Sequence, residues 1–247
     1  MAAKPPPHTP KRPPGGADRT AKIYRALRHA IIEQALEPGA KLPEDAIGER
    51  FGASRTIVRH ALGQLAAEGL VELRHNRGAT VATPSWNEAR DVFDIRLGVE
   101  RLVMERLSGR LSADDLSRLN RHVDEEDRAH GNNETLSIRL ATEFHMLLAE
   151  MTGSDVLARY VGELSSRCGL ILATYSRPHS SECAVSEHRA IIAALAAGDA
   201  KRAKALMGEH LEAVAGRALI EPHRAKQRDI KDILAPYAKN PAKKKRR

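Results

Sequence analysis

The stretch Leu42–Val81, LPEDAIGERFGASRTIVRHALGQLAAEGLVELRHNRGATV, constrains this chain more than any other. Val58, Ala61, Leu62 and Leu65 recur at helical spacing and form one apolar stripe, while Arg55, Thr56, Arg59 and Gly63 fall on the opposite face. Ser54 precedes the run and is placed to cap it, its hydroxyl accepting an orphan backbone N–H. A shorter helix, Glu44 to Phe51, comes before it and breaks at Gly52. Two β-rich runs follow, Leu70–Arg74 and Ala79–Thr83, joined by a Gly-containing turn that reads as a hairpin. Helix, tight turn, helix and two-stranded wing together predict a winged helix-turn-helix.

In that arrangement the second helix of the pair can lie in the major groove of double-stranded DNA. Arg55 and Arg59 are four apart, so both project from the N-terminal part of one solvent face. A guanidinium can grip a guanine edge bidentately or clamp a phosphate. Arg77, with Gly78 at the wing tip, is placed to reach an adjacent groove or the backbone. The DNA-binding candidates are therefore Ser54, Arg55, Thr56, Arg59, Arg77 and Gly78, against the plainer reading of a solvated basic face.

This stretch resembles the winged helix of the GntR family of bacterial transcription regulators. The resemblance rests on Pro38-Gly39, Leu42-Pro43, Phe51-Gly52, Ser54-Arg55-Thr56, Val58-Arg59, Ala61-Leu62, Leu65, Glu68-Gly69-Leu70-Val71 and Arg77-Gly78. It covers about residues 20–83 once the preceding helix is included. Some members of that family place an Arg where this chain has Ala46, which implies a different operator preference at that contact.

At 247 residues the chain is long enough for a second domain with its own core. A net charge of +8 suits a polyanionic partner, and an aromatic content of 3% argues against base-stacking platforms for single strands. Cys168 and Cys183 have no zinc or CxxC spacing and read as reduced thiols. No apolar run reaches the ~20 residues of a membrane span, and the N-terminus lacks the apolar core of a secretory signal, so a cytoplasmic protein is expected.

The Pro-rich Met1–Ala17 reads as a disordered leader. Asp18 or Thr20 is expected to cap a helix running to about Ala35, with Ile23, Tyr24, Leu27 and Ile31 buried, and the winged domain spans residues 18–84. Ser85–Glu88 has the form of a capping box, and from there the pattern is helical throughout, with helices expected at 86–109, 113–130, 134–152, 154–175, 185–197 and 200–219. The fold class is therefore mainly α: a winged helix-turn-helix followed, over residues 85–220, by an antiparallel all-α bundle. Residues 221–247 read as a basic disordered tail ending Lys243-Lys244-Lys245-Arg246-Arg247, either a solvated end or a weak, sequence-blind attraction for DNA.

His145, His188 and His210 fall among apolar residues on separate helices of the bundle. Singly, each would be an ordinary core histidine. Three on one bundle suit a divalent metal such as zinc, nickel or manganese.

This half resembles the FCD ligand-binding domain, the effector module of the FadR subgroup of GntR regulators. The matching pieces are Asp94-Ile95-Arg96 with Glu100, Glu143-Phe144-His145, Gly153-Ser154, Glu187-His188 and Glu209-His210-Leu211. Metal-binding members carry an acid four residues before the first histidine, where this chain has Ala141, and Glu143 is two residues off that register. The resemblance thus implies a three-histidine site completed by water or effector, with a metal-free pocket as the alternative. It also implies a small carboxylate effector, for which Arg96 and Arg167 are the candidate cations, each with an ion pair as the plainer reading, Arg96 to Glu100 at helical spacing. The expected whole is a homodimeric repressor released from a palindromic operator by that effector. The competing class is a metal-dependent hydrolytic enzyme. Against it, no HExxH is present, and Glu143, Glu187 and Glu209 lie within two residues of a ligand candidate, an offset that turns them away on a helix.

Overall fold

A computed structural model describes residues 16–75, 78–175, 182–218 and 229–238. The winged domain contains α1 (Gly16–Ile32), α2 (Glu44–Phe51), α3 (Arg55–Ala67), β1 (Val71–Arg74) and β2 (Gly78–Val81). The bundle contains α4 (Trp86–Leu107), α5 (Ala113–Ala129), α6 (Glu134–Met151), α7 (Asp155–Tyr175), α8 (Glu182–Ala196) and α9 (Ala200–Ala218), and α10 (Ile230–Ala238) follows it.

The stripe Val58, Ala61, Leu62 and Leu65 is wholly buried, against Ile23 and Leu27 of α1. Burying each of the larger side chains is worth about 1.5–3 kcal/mol. Gly52 ends α2 at φ 60°, a conformation that costs a residue with a Cβ. Within α2, Gly48 is needed for a different reason: a Cβ there would lie 2.7 Å from the Ala53 carbonyl oxygen, so the tight turn closes only over glycine. β1 and β2 pair antiparallel from Val71–Val81 to Arg74–Gly78, and Lys41 bridges to Thr80 on the far side of β2. The hairpin is thus slightly shorter than the sequence pattern suggests, and Asn76 and Arg77 at its tip lie outside the described residues.

Three details depart from expectation. Ser54 has the extended backbone of a cap, but its hydroxyl makes no capping bond. α1 starts at Gly16, inside the segment expected to be a disordered leader, and ends at Ile32 rather than Ala35. The segment expected to be an unstructured basic tail contains α10, which packs on α1 and α2 with Leu234 fully buried in the winged core. Arg50 donates to the Ala235 carbonyl at 2.9 Å, and the Tyr237 hydroxyl donates to Glu33. α10 is only nine residues long and has Pro236 inside it, so it is too short for periodicity to reveal it. Residues 1–15, 219–228 and 239–247, with the terminal Lys/Arg run, lie outside the described residues.

The bundle follows the predicted order. Ser85 caps α4 by accepting from the Glu88 N–H, although the Glu88 carboxylate turns to Arg167 rather than completing a capping box. Ser112 and Asp115 do form a reciprocal capping box at α5. Met104, Phe144, Leu148, Val161, Ile191 and Met207 are among the residues that fill its centre. The two domains share a seam: Leu170 of α7 is buried within the winged core, Arg28 donates to the Gly162 carbonyl at 2.9 Å, and Arg139 of α6 pairs with Glu33 at 2.8 Å.

Candidate functional site

His145 rides on α6 beside Phe144, His188 faces the bundle three residues before Ile191, and His210 follows Met207 on α9. Three helices therefore deliver one imidazole each to a common point. Their potential ligand atoms all lie within 4.8 Å of one another, and all three residues are buried.

Each ring is held from behind by a carboxylate. His145 Nδ1 lies 2.5 Å from Glu100, His188 Nδ1 lies 2.9 Å from Glu126, and His210 Nδ1 lies 2.6 Å from Glu187. An ionised carboxylate only accepts, so His145 Nδ1, against a Glu100 held ionised, carries the proton and donates it, and the other two rings donate in the same way when their carboxylates are ionised. The Nε2 atoms are then lone pairs turned inward, and those of His145 and His210 stand 3.3 Å apart. His188 Nε2 is buried with no hydrogen-bond partner. Convergent lone pairs without a donor between them are unfavourable, and a buried acceptor left unpaired costs about 1–3 kcal/mol. A bound cation relieves both. Carboxylate–imidazole pairs of this kind orient ligands and raise their basicity in metal sites.

The electrostatics agree. Burial pushes His145 down to about 3, with Arg96 and His210 adding to it against the pull of Glu100. Burial likewise pushes His188 well below its ordinary value. Both rings are neutral near pH 7, the form a metal requires. Burial favours protonating Glu100, but His145 and Arg96 outweigh it and hold that carboxyl at about 2. Burial raises Glu126 to about 7, with Asp127 adding to it against the pull of His122, His210 and Arg189.

The imidazoles open on a cavity of about 50 Å³, enough for roughly three to five waters or a metal with a small ligand. Ala141 lines it, so the register of α6 is as read, with a methyl where an acid would complete the site. Arg96 also lines it, and its Nε donates to Glu100 at 2.6 Å, the ion pair expected from helical spacing. Arg167 does not belong. It pairs with Glu88 and packs on Gly69 at the domain seam, because Ser165, Cys168 and Leu172 form the cavity face of α7 and position 167 is turned off it. The expected effector role for Arg167 is therefore corrected to an interdomain one.

Sequence reasoning overlooked Ser165, whose buried hydroxyl has no partner, and Gln34, contributed by the winged domain. It also overlooked the carboxylates behind the rings. Glu126 had a signal, lying on the buried stripe of Leu119 and Val123 at i+7 and i+3. Glu187 does turn away from its neighbour His188, as expected, but only to reach His210 on α9.

On the winged domain, Ser54, Arg55, Thr56 and Arg59 are all exposed on the N-terminal face of α3. Arg55 forks onto Asp45 at 2.5 and 2.7 Å, and Arg59 meets Glu44 at 2.9 Å. Gly78 opens β2 at the wing, and Arg77 lies outside the described residues. No helix among the described residues is long and apolar enough to cross a membrane.

Two family models match the chain: bacterial regulatory proteins of the gntR family over residues 19–81, and the FCD domain over residues 91–213. Among curated relatives, the HTH-type transcriptional regulator YdhC of Bacillus subtilis is 26% identical over 175 residues, covering 69% of this chain and 77% of that protein. The HTH-type transcriptional repressor GlaR of Escherichia coli is 28% identical over 206 residues, covering 76% and 90%. A crystal structure of a GntR transcriptional regulator from Rhodococcus sp. RHA1 superposes with a TM-score of 0.72 at 26% identity, over 81% of this chain and 97% of that one. Escherichia coli McbR/YncC has the same fold, with a TM-score of 0.71 at 21% identity over 79% and 94%.

Proposed function

We propose, for a chain that belongs to the GntR family of bacterial DNA-binding transcription regulators and carries an FCD effector domain, that it is a cytoplasmic repressor whose grip on a palindromic operator is set by a divalent metal and a small carboxylate in the histidine cavity. The family's members are regulators, which removes the hydrolytic enzyme alternative. Relatives named as repressors support the sign of regulation.

The observation that carries the metal reading is the orphaned His188 Nε2 beside two further Nε2 lone pairs, each ring backed by a carboxylate. His145, His188 and His210 would hold the ion, and zinc, nickel and manganese all accept imidazole. When bound, the ion supplies a positive charge and open coordination positions for an anionic ligand. Glu100, Glu126 and Glu187 orient the rings. Ser165 and Arg96 supply further polar contacts, the Arg96 charge being largely spent on Glu100.

On DNA, α3 would enter the major groove, with Arg55 and Arg59 exchanging their acidic partners on α2 for base edges or phosphates. The pairs with Asp45 and Glu44 hold both guanidiniums in place before binding but oppose the approach of phosphate. A homodimer is supported by apolar side chains left on the bundle surface: Ile95 and Leu102, seven apart on α4, are 56% and 40% exposed, and Val156 and Tyr160 on α7 are 56% and 46% exposed. The effector would act by shifting the population of dimer arrangements, and with it the spacing of the two reading helices.

Selection of binding sites from random duplexes, with metal analysis of the purified chain, tests this reading. A palindromic consensus and stoichiometric divalent metal are expected. Binding without any sequence preference would refute the operator reading, and failure of the metal-stripped protein to take up zinc, nickel or manganese would refute the metal.

A further inference from the structure

One residue of the DNA-binding domain is built into the wall of the histidine cavity. Gln34 follows the last turn of α1, belongs to the winged half of the chain, and lines the same space as His145, His188 and His210. Its φ is +56°, and it is the one non-glycine residue in the left-handed region among the described residues. That conformation suits glycine and strains a side chain bearing a Cβ. Backbone strain of this kind persists where the surroundings enforce it and gathers at ligand contacts.

The surroundings do enforce it. The preceding residue, Glu33, is buried, paired to Arg139 of α6 at 2.8 Å and bonded by Tyr237 of α10. α6 is the helix that carries His145. On the other side Gly169 of α7, itself a cavity residue, lets the Ile32 backbone pack within 3.9 Å of where a Cβ would stand. The end of α1 is thus pinned at the cavity mouth. Through Ile23 and Leu27, α1 shares one core with Val58 and Leu62 of α3, so a displacement at its end is carried to the reading helix.

The cavity is polar where it matters. His188 Nε2 and Ser165 Oγ are both buried without partners, so an occupant bearing acceptors, donors or positive charge is favoured over an apolar one. A carboxamide can donate to a carboxylate oxygen or accept from a metal-bound water. We infer that Gln34 is the winged domain's own ligand to the occupant of the histidine cavity, and that this direct contact is how a bound metal with a small carboxylate changes the affinity for DNA. The inference rests on the metal reading above and adds the route by which the signal leaves the site.

The test compares the full-length wild type with Gln34→Gly. Glycine adopts φ +56° freely, so the variant should melt no lower than wild type. Zinc affinity is measured first by titration calorimetry, then affinity for the selected duplex with and without zinc and acetate, an acid small enough for the cavity. In the wild type, zinc with acetate is expected to change DNA affinity tenfold or more. Gln34→Gly should keep zinc affinity within about threefold of wild type, while its change in DNA affinity falls below about threefold. A full response in Gln34→Gly would overturn the inference, as would a wild type that binds zinc without any change in DNA affinity. A wild type that binds no zinc overturns the metal reading and this inference together.

Discussion

Glu126→Gln isolates the carboxylate behind one imidazole. The substitution keeps size and shape, and the new amide oxygen can still accept from His188 Nδ1 at the position now 2.9 Å away, so only the charge is removed. A metal on His188 Nε2 at about 2.0–2.1 Å would stand roughly 6–7 Å from that carboxylate, across the ring. At an effective dielectric of about 20, the attraction between −1 and +2 at that distance is on the order of 5 kcal/mol, a ceiling. Partners of this kind cost about 10–100-fold in metal affinity when removed, roughly 1.4–2.7 kcal/mol. Because the hydrogen bond survives, the low end is expected: about tenfold weaker zinc binding, read by competition with a chelating dye. Glu143→Gln is the control, since Glu143 sits on the same helix as His145 but pairs with Arg139 and holds no imidazole. Its zinc affinity should be unchanged. If Glu126→Gln binds zinc as tightly as wild type while His188→Ala loses it, the carboxylates do not tune the ligands and the reasoning fails.

Arg55→Ala and Arg59→Ala should each weaken specific DNA binding by about 1–3 kcal/mol, whereas Asp45→Asn, by freeing Arg55 from an exposed pair, should tighten it a few-fold; fluorescence anisotropy on the selected duplex separates the two directions. Ala141→Asp should place an oxygen in the cavity and tighten zinc binding at least tenfold by the same dye competition, and an unchanged affinity would show that position 141 does not face the ion. His29, at the domain seam, is pushed down to about 4 by burial first, then by Arg139, Arg28 and Arg25. The unfolded chain protonates near 6.5 while the folded chain resists, so this stability is full above pH 6.5 and is lost as pH falls toward 4. Screened for a partly exposed ring, the loss is about 2 kcal/mol, so urea unfolding of His29→Gln should show a shallower decline over that window than wild type.

The sequence alone determined the local architecture, because local architecture follows from periodicity and punctuation. The stripe Val58, Ala61, Leu62, Leu65 has only one helical face to bury, Gly52 can end α2 where a Cβ could not, and Gly-containing turns separate most of the bundle helices. It also placed His145, His188 and His210 on inward faces, since each sits in an apolar run. What lay beyond it was everything that depends on which helix faces which. Glu187 was rightly turned from His188 by helical offset, yet its meeting with His210 is a property of α8 packing on α9. Arg167 and Cys168 are neighbours in the chain, but a 100° step sends one to the domain seam and the other to the cavity. α10 docks through a few buried residues whose partners on α1 and α2 are some two hundred residues away. Gln34 carries no pattern at all: its place in the cavity wall exists only because Glu33, Arg139 and Gly169 fix the end of one domain against the side of the other.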